Sequence, residues 1–222
     1  MAPQKRVGVV LSGCGFLDGA EIQEAVCTLL SLDRRGAAVV AAAPDVEQLH
    51  VVDHVRGAPA EGERRRVLQE SARIVRGKIV DLARVRATDL DAVVFPGGFG
   101  VAKNLCSFAV DGRNMKVVPE VERLVRELRA ERKPMGFICI APVIAARLLG
   151  DEGVKVTIGD DAETAAAITS WGARHVDRRV DEIVVDERLK VVSTPAYMLG
   201  PWIAPVATGI DKLIAALLEL AS

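Results

Sequence analysis

Aromatic side chains are scarce in this 222-residue chain: two Trp, one Tyr and five Phe, 4% of the sequence. Charge of one sign is also lacking. The 29 Lys and Arg against 30 Asp and Glu leave a formal net charge of −1. Such a balance offers no electrostatic footprint for nucleic acid or an anionic membrane, so neither is expected as a partner. Cysteine is sparse and dispersed: Cys14, Cys27, Cys106 and Cys139 form no CxxC pair, and no His lies at zinc-ligand spacing. That excludes a disulfide framework and a structural metal site, and predicts a reducing, cytoplasmic setting. Long hydrophobic runs are missing too. Val7 to Leu11 follows Lys5 and Arg6 but is too short for a signal-peptide core, and no stretch approaches membrane-spanning length. No composition break, linker or internal repeat divides residues 1–222, which predicts one domain.

What is abundant is small and branched apolar residues, in a sequence that is half hydrophobic. That is the composition of parallel strands buried on both faces and covered by helices. Strand and helix patterns alternate along the chain. Val7 to Leu11 reads as strand one, Ala37 to Ala43 as strand two, Lys78 to Leu82 as a short third strand and Asp91 to Phe95 as a fourth. A fifth runs through Met135 to Ile138, Val154 to Ile158 is another, and Ile183–Asp186 with Leu189–Ser193 forms a hairpin across Glu187-Arg188. Helices are expected over residues 20–35, closed by Gly36, and over 61–75, 119–132, 140–149, 162–171 and 203–220. In the first helix Ile22, Val26, Leu29 and Leu30 have helical spacing and are predicted to face the sheet. Arg64-Arg65-Arg66 reads as a solvated helix face. The alternation predicts an α/β fold, a three-layer α/β/α sandwich with a mostly parallel, flavodoxin-like sheet and a C-terminal hairpin.

Met135-Gly136-Phe137-Ile138-Cys139-Ile140-Ala141-Pro142 carries the chemistry. An apolar strand that stops at a cysteine and continues as a helix has the outline of a nucleophile elbow. A thiol at a helix N-terminus feels the helix dipole, which predicts a lowered pKa and alkylation with a midpoint below the roughly 8.5 of an ordinary thiol. The bland alternative is a small buried core cysteine. Two glycine clusters, Ser12-Gly13-Cys14-Gly15 and Pro96-Gly97-Gly98, follow strands one and four. Each alone reads as a tight turn. In a parallel sheet all three loops open on the carboxyl edge, where ligands bind.

The residues Pro96-Gly97-Gly98, Ala102-Lys103-Asn104-Leu105 and Gly136-x-x-Cys139 resemble the ThiJ/PfpI superfamily, relatives of class I glutamine amidotransferase domains. The resemblance narrows to the ElbB branch, described as sigma cross-reacting or isoprenoid-biosynthesis proteins. It is carried by Leu11 to Gly15, Asp18-Gly19-x-Glu21-Ile22-x-Glu24-Ala25, Pro96 to Leu105, Gly136-Phe137-x-Cys139-Ile140-Ala141-Pro142, Asp181-x-Ile183-Val184-Val185-Asp186 and Thr194-Pro195-Ala196-Tyr197-Met198. The resemblance implies a flavodoxin-like fold, a homodimer, and glutathione-independent glyoxalase activity that needs no metal or cofactor.

In that chemistry the Cys139 thiolate attacks the aldehyde of a small dicarbonyl, methylglyoxal or glyoxal. A base carries the proton from C1 toward C2, and water releases lactate or glycolate. Glu24 matches the family's acidic position, with Glu21 one turn earlier as the alternative; an exposed first-turn carboxylate is the plain reading of either. The backbone N–H groups of Gly98 and Ile140 are candidate oxyanion donors beside Gly97. Asn104 is a candidate polar wall or a loop cap, Tyr197 a hydroxyl donor or a packing residue, and Cys14 an oxidation partner or a plain loop residue. Ile140 stands where many superfamily members place His, and His50, His54 and His175 match none of the family's positions. A Cys–His–acid triad, and protease or glutaminase activity, are therefore not expected. The competing functional readings are a non-catalytic redox-sensing or protective cysteine and a regulatory protein linked to isoprenoid metabolism. A flavin carrier ranks last, because the loops lack a Ser/Thr-rich phosphate cradle.

Overall fold

The computed structural model describes residues 4–221. Its frame is a seven-stranded sheet: β1 (Arg6–Val10), β2 (Ala38–Ala43), β3 (Val80–Asp81), β4 (Ala92–Phe95), β5 (Met135–Ile138), β6 (Val184–Asp186) and β7 (Val191–Thr194). The spatial order is β6-β7-β5-β4-β1-β2-β3. Every neighbouring pair is parallel except β6 and β7, which form the antiparallel hairpin at one edge.

Side chains alternate across the sheet as the pleat requires. Val7, Val9 and Leu11 enter one half of the core with Ile138, while Val10, Val93, Phe95 and Phe137 enter the other. The register sets Phe95 opposite Phe137, and their rings stack 5.0 Å apart. Helices α1 (Ile22–Arg34) and α6 (Ile203–Leu220) cover the first face. Helices α3 (Pro119–Ala130), α4 (Pro142–Leu149) and α5 (Ala162–Ser170) cover the second. Helix α2 (Val67–Ile74) joins the first face through Val67. The architecture is α/β, mainly parallel and flanked by helices on both faces.

Three expectations are corrected here. Of the apolar stripe of α1 only Leu29 packs against the core: Ile22, Val26 and Leu30 lie half-exposed, and the buried face is Glu24, Ala25, Thr28, Ser31 and Leu32. The helix is tied to α6 through Ser31 and Arg35, which both reach Asp211. The second helix starts at Val67 rather than at residue 61. Arg64, Arg65 and Arg66 precede it in irregular backbone, paired with Glu47, Glu63, Glu70 and Asp45 instead of lining a helix face. The strand expected over 154–158 shrinks to Lys155–Val156 and pairs with Arg174–His175 outside the main sheet. Among the described residues no helix is long and apolar enough to cross a membrane.

Candidate active site

Strands β5, β4 and β1 are consecutive in the sheet, so the loops that follow them share one stretch of its carboxyl edge. Backbone hydrogen bonds sew these loops together. Glu21 N–H donates to the Gly97 carbonyl at 2.9 Å, Gly100 N–H to Gly19 at 2.9 Å, and Phe99 N–H to Phe16 at 2.7 Å. The glycines serve this contact. A Cβ on Gly98, whose φ is +96°, would lie 2.4 Å from the Glu21 nitrogen. Side chains here would push the loops apart.

Cys139 sits where β5 ends, with φ of +61°, a left-handed conformation that a non-glycine residue adopts at a cost. Its N–H donates to the Thr194 carbonyl at 3.0 Å, which anchors the strained turn to the end of β7. The side chain is only 7% exposed. A Cβ on Gly97 would fall 2.4 Å from the Cys139 Cβ and 2.6 Å from Glu24 Oε2. Gly97 is thus the gap through which the thiol and the carboxyl meet.

Glu24 is wholly buried on the inner face of α1. Its Oε2 accepts from Gly97 N–H at 2.9 Å and its Oε1 from Tyr197 N–H at 3.1 Å. Burial nonetheless dominates and pushes the carboxyl up to about 8; the two N–H donors, and the hydrogen bond with Cys139, only oppose that rise. Burial likewise pushes the Cys139 thiol well above the ordinary thiol range, and the neighbouring Glu24 charge pushes it further. The N–H groups of Gly98 and Ile140 are aimed at the sulfur and act the other way. Two buried acids in contact cannot both ionise cheaply, so they lose protons as a pair rather than independently.

This geometry corrects the expected low-pKa thiol. The helix after Cys139 begins at Pro142, not at residue 140, and is only eight residues long. Its dipole is weak at the sulfur beside desolvation and an adjacent carboxylate. The sulfur ionises readily only when Glu24 keeps its proton and can donate it.

The structure separates the remaining candidates. Glu21 is the N-cap of α1: its carboxylate accepts the Glu24 N–H at 2.6 Å, and it is half-buried rather than set against the sulfur. Asn104 is buried and donates to the Ser12 and Asp18 carbonyls at 2.9 and 2.8 Å while accepting from Leu49 N–H at 3.0 Å. Its amide is consumed in tying loops together and is not a substrate wall. Tyr197 serves Glu24 through its backbone; its hydroxyl bonds to Gln23. Cys14 is a free, half-buried thiol whose charged neighbours are Glu70, Arg73 and Asp18. The Gly98 and Ile140 N–H groups both lower the proton affinity of the Cys139 thiol, so the two candidate oxyanion donors flank the sulfur.

Sequence reasoning missed two contributors, the Thr194 carbonyl and the Tyr197 N–H. Backbone groups leave no trace in residue identity, although both fall in the Thr194-Pro195-Ala196-Tyr197-Met198 motif. His54 bonds to Val52 and Leu17, and His175 accepts from Ile158 N–H. Among the described residues no group of three or more His, Cys, Asp or Glu side chains is placed to hold a metal ion. Clefts of about 580 and 640 Å³ elsewhere are lined largely by charged side chains and contain neither Cys139 nor Glu24.

Comparison with known proteins places this geometry. No protein-family model matches the sequence. The human glutamine amidotransferase-like class 1 domain-containing protein 3, mitochondrial, is 51% identical over 227 residues, covering 98% of this chain and 84% of that one. A crystal structure from Ehrlichia chaffeensis, an isoprenoid biosynthesis protein with an amidotransferase-like domain, superposes with a TM-score of 0.91 at 38% identity. It covers 98% of this chain and 100% of that one. A DJ-1 superfamily protein from Salmonella typhimurium, at 24% identity and a TM-score of 0.59, covers 97% of this chain and 91% of that one and shares the fold.

Proposed function

The chain belongs to the glutamine amidotransferase-like class 1 domain family and shares its fold with a DJ-1 superfamily protein, and from that premise we propose that it is a cofactor-independent glyoxalase. One observation carries the reading: a thiol on a strained elbow meets, across the gap at Gly97, a wholly buried carboxyl whose proton affinity burial raises. In the form of the pair that has lost one proton, Cys139 attacks the aldehyde carbon of methylglyoxal as the thiolate, while Glu24 holds the remaining proton and donates it. The carbon–sulfur bond forms, and the carbonyl electron pair moves to oxygen, which takes the proton. The Glu24 carboxylate then removes the C1 hydrogen as a proton and returns it at C2, while the C1 hydroxyl proton passes to the C2 oxygen, leaving the lactoyl thioester. Water cleaves the thioester to lactate and restores the thiol. Atoms balance as methylglyoxal plus water giving lactate, with no external oxidant or reductant.

Supporting this assignment, a carboxyl raised to about 8 can both give and take a proton near pH 7. The test is lactate formation from methylglyoxal. Cys139→Ala is expected to abolish it and Glu24→Gln to reduce it by about 100-fold or more. Turnover that survives Cys139→Ala overturns the proposal.

The depth of the sulfur favours a second reading, oxidation by peroxide. With 7% exposure, the N–H groups of Gly98 and Ile140 directed at it and the Glu24 carboxyl beside it, Cys139 is set to hold a sulfinate. Each peroxide adds one oxygen to sulfur and leaves as water. Mass spectrometry showing two oxygens on Cys139, without lactate turnover, would select this reading over the first. A homodimer is proposed as well, with the half-exposed Ile22, Val26 and Leu30 of α1 as contact surface. Sedimentation showing only monomer at micromolar concentration would remove it. The human relative's name says mitochondrial; for this chain we propose only a reducing compartment, consistent with four free cysteines.

A further inference from the structure

We propose that the cleft between the paired strands Lys155–Val156 and Arg174–His175 and the β6–β7 turn binds a small phosphate-bearing ligand. The inference stands apart from the glyoxalase reading, because this cleft lies at the opposite edge of the main sheet. Val191 pairs with Met135 where β7 and β5 begin, whereas Cys139 follows the end of β5. Asp186 pairs with Val191 in the hairpin and lines the cleft, which sets the cleft at that starting edge.

The cleft encloses about 580 Å³, and its walls come from three separate stretches: residues 152–155, Arg174 and residues 185–188. The parallel register sets Lys155 directly opposite Arg174. Residues paired in this way project from one face of the ribbon, and like charges in that position repel. Val156, on the other face, is fully buried in the core. Among the described residues neither Lys155 Nζ nor the Arg174 guanidinium has an ion-pair or hydrogen-bond partner. Arg188 joins them from the turn; it donates to the Glu152 carbonyl and keeps its other N–H groups.

The carboxylates of the cleft do not answer these charges. Both oxygens of Asp186 are occupied, accepting from Lys155 N–H at 2.9 Å and from Leu189 N–H at 3.0 Å. Glu152 is held by Arg129 at 2.6 Å, with Arg188 a lesser neighbour. That leaves Glu187, which the three cations outnumber. The cleft of about 640 Å³ shows the ordinary arrangement: its Arg56 pairs with Asp53, and its Arg65 with Glu63 and Glu70. Val185 supplies the one apolar side chain of the cationic cleft, so its ligand is held by charge rather than by apolar burial. Donors arriving from three stretches fit the several outward oxygens of a phosphate or diphosphate. A planar carboxylate would be satisfied by one guanidinium fork.

The experiment is isothermal titration of the full chain with inorganic pyrophosphate, with sodium chloride as the control at matched ionic strength. Saturable one-site binding is expected, weakened about three- to tenfold in Lys155→Thr and in Arg174→Gln. Arg56→Gln, in the other cleft, should bind as the parent does. Thermal unfolding without pyrophosphate gives a second readout. Lys155→Thr should raise the midpoint by about 1–3 °C, because it removes the repulsion across the ribbon. Excess pyrophosphate should then raise the parent's midpoint by more than the variant's. No saturable binding, binding within twofold of the parent in both variants, or equal stabilisation by sodium chloride overturns the site. Citrate binding as tightly as pyrophosphate overturns the phosphate class. A Lys155→Thr midpoint below the parent's overturns the unmatched pair on which the site is built.

Discussion

Glu24→Gln should change the stability of this protein with a sign that depends on pH. The Glu24 carboxyl is raised from an ordinary 4.5 to about 8 by burial. Between those values the folded chain keeps a proton that the unfolded chain has released. Its contribution to stability is therefore complete below about pH 4.5 and is lost as pH rises, the loss ending as Glu24 ionises near 8. At about 1.4 kcal/mol for each pH unit, the full loss is about 5 kcal/mol. Glutamine cannot ionise and escapes that loss. It has its own penalty, because both carboxyl oxygens accept backbone N–H groups, from Gly97 and Tyr197. The glutamine NH2 must face one of these donors, and a buried unpaired N–H costs about 1–3 kcal/mol. The variant is thus expected to be less stable than the parent by about 1–3 kcal/mol at pH 4.5, and more stable by about 2–4 kcal/mol at pH 9. Urea denaturation at pH 4.5, 7 and 9, with slopes compared to confirm the same folded reference, reads this directly. A stability difference that is constant across that range would refute a proton-bearing Glu24, and the acid–base role with it.

Two further outcomes follow from the packing. Gly97→Ala would place a methyl group 2.4 Å from the Cys139 Cβ and 2.6 Å from Glu24 Oε2. A destabilisation of about 1–3 kcal/mol is expected, together with lost lactate formation; denaturation matching the parent would mean the loops can part at no cost. Asn104→Ala should also cost about 1–3 kcal/mol, since it strips partners from Ser12, Asp18 and Leu49, yet leave the pH dependence of Cys139 alkylation unmoved. A shifted profile would return Asn104 to the site.

The layered α/β plan was legible because buried parallel strands read as apolar runs and helices such as α1 and α5 are closed by Gly36 and Gly172. The elbow was legible for the same reason, since Met135 to Ile138 can only be strand and Cys139 terminates it. Helix orientation was not. Ile22, Val26 and Leu30 make a convincing apolar stripe, and the rule that such a stripe seeks the core selected the wrong face. The true inner face contains a glutamate, a threonine and a serine, which no hydrophobic count would nominate. Asn104 reads along the chain as either a polar wall or a loop cap, and the structure selects the cap, whereas neither reading of Tyr197, hydroxyl donor or packing residue, includes the N–H it gives to Glu24.

The linear order of residues determined by itself which atoms are available: one cysteine at a strand end, two glutamates in a helix's first turn, and glycines where loops must touch. Only the assembled sheet decided what those atoms are chemically. Placing β5, β4 and β1 side by side brought Cys139, Gly97 and Glu24 into contact and removed water from all three. Proton affinity is a property of that surrounding, so the thiol read along the chain as acidic became, in the folded protein, half of a reluctant buried pair.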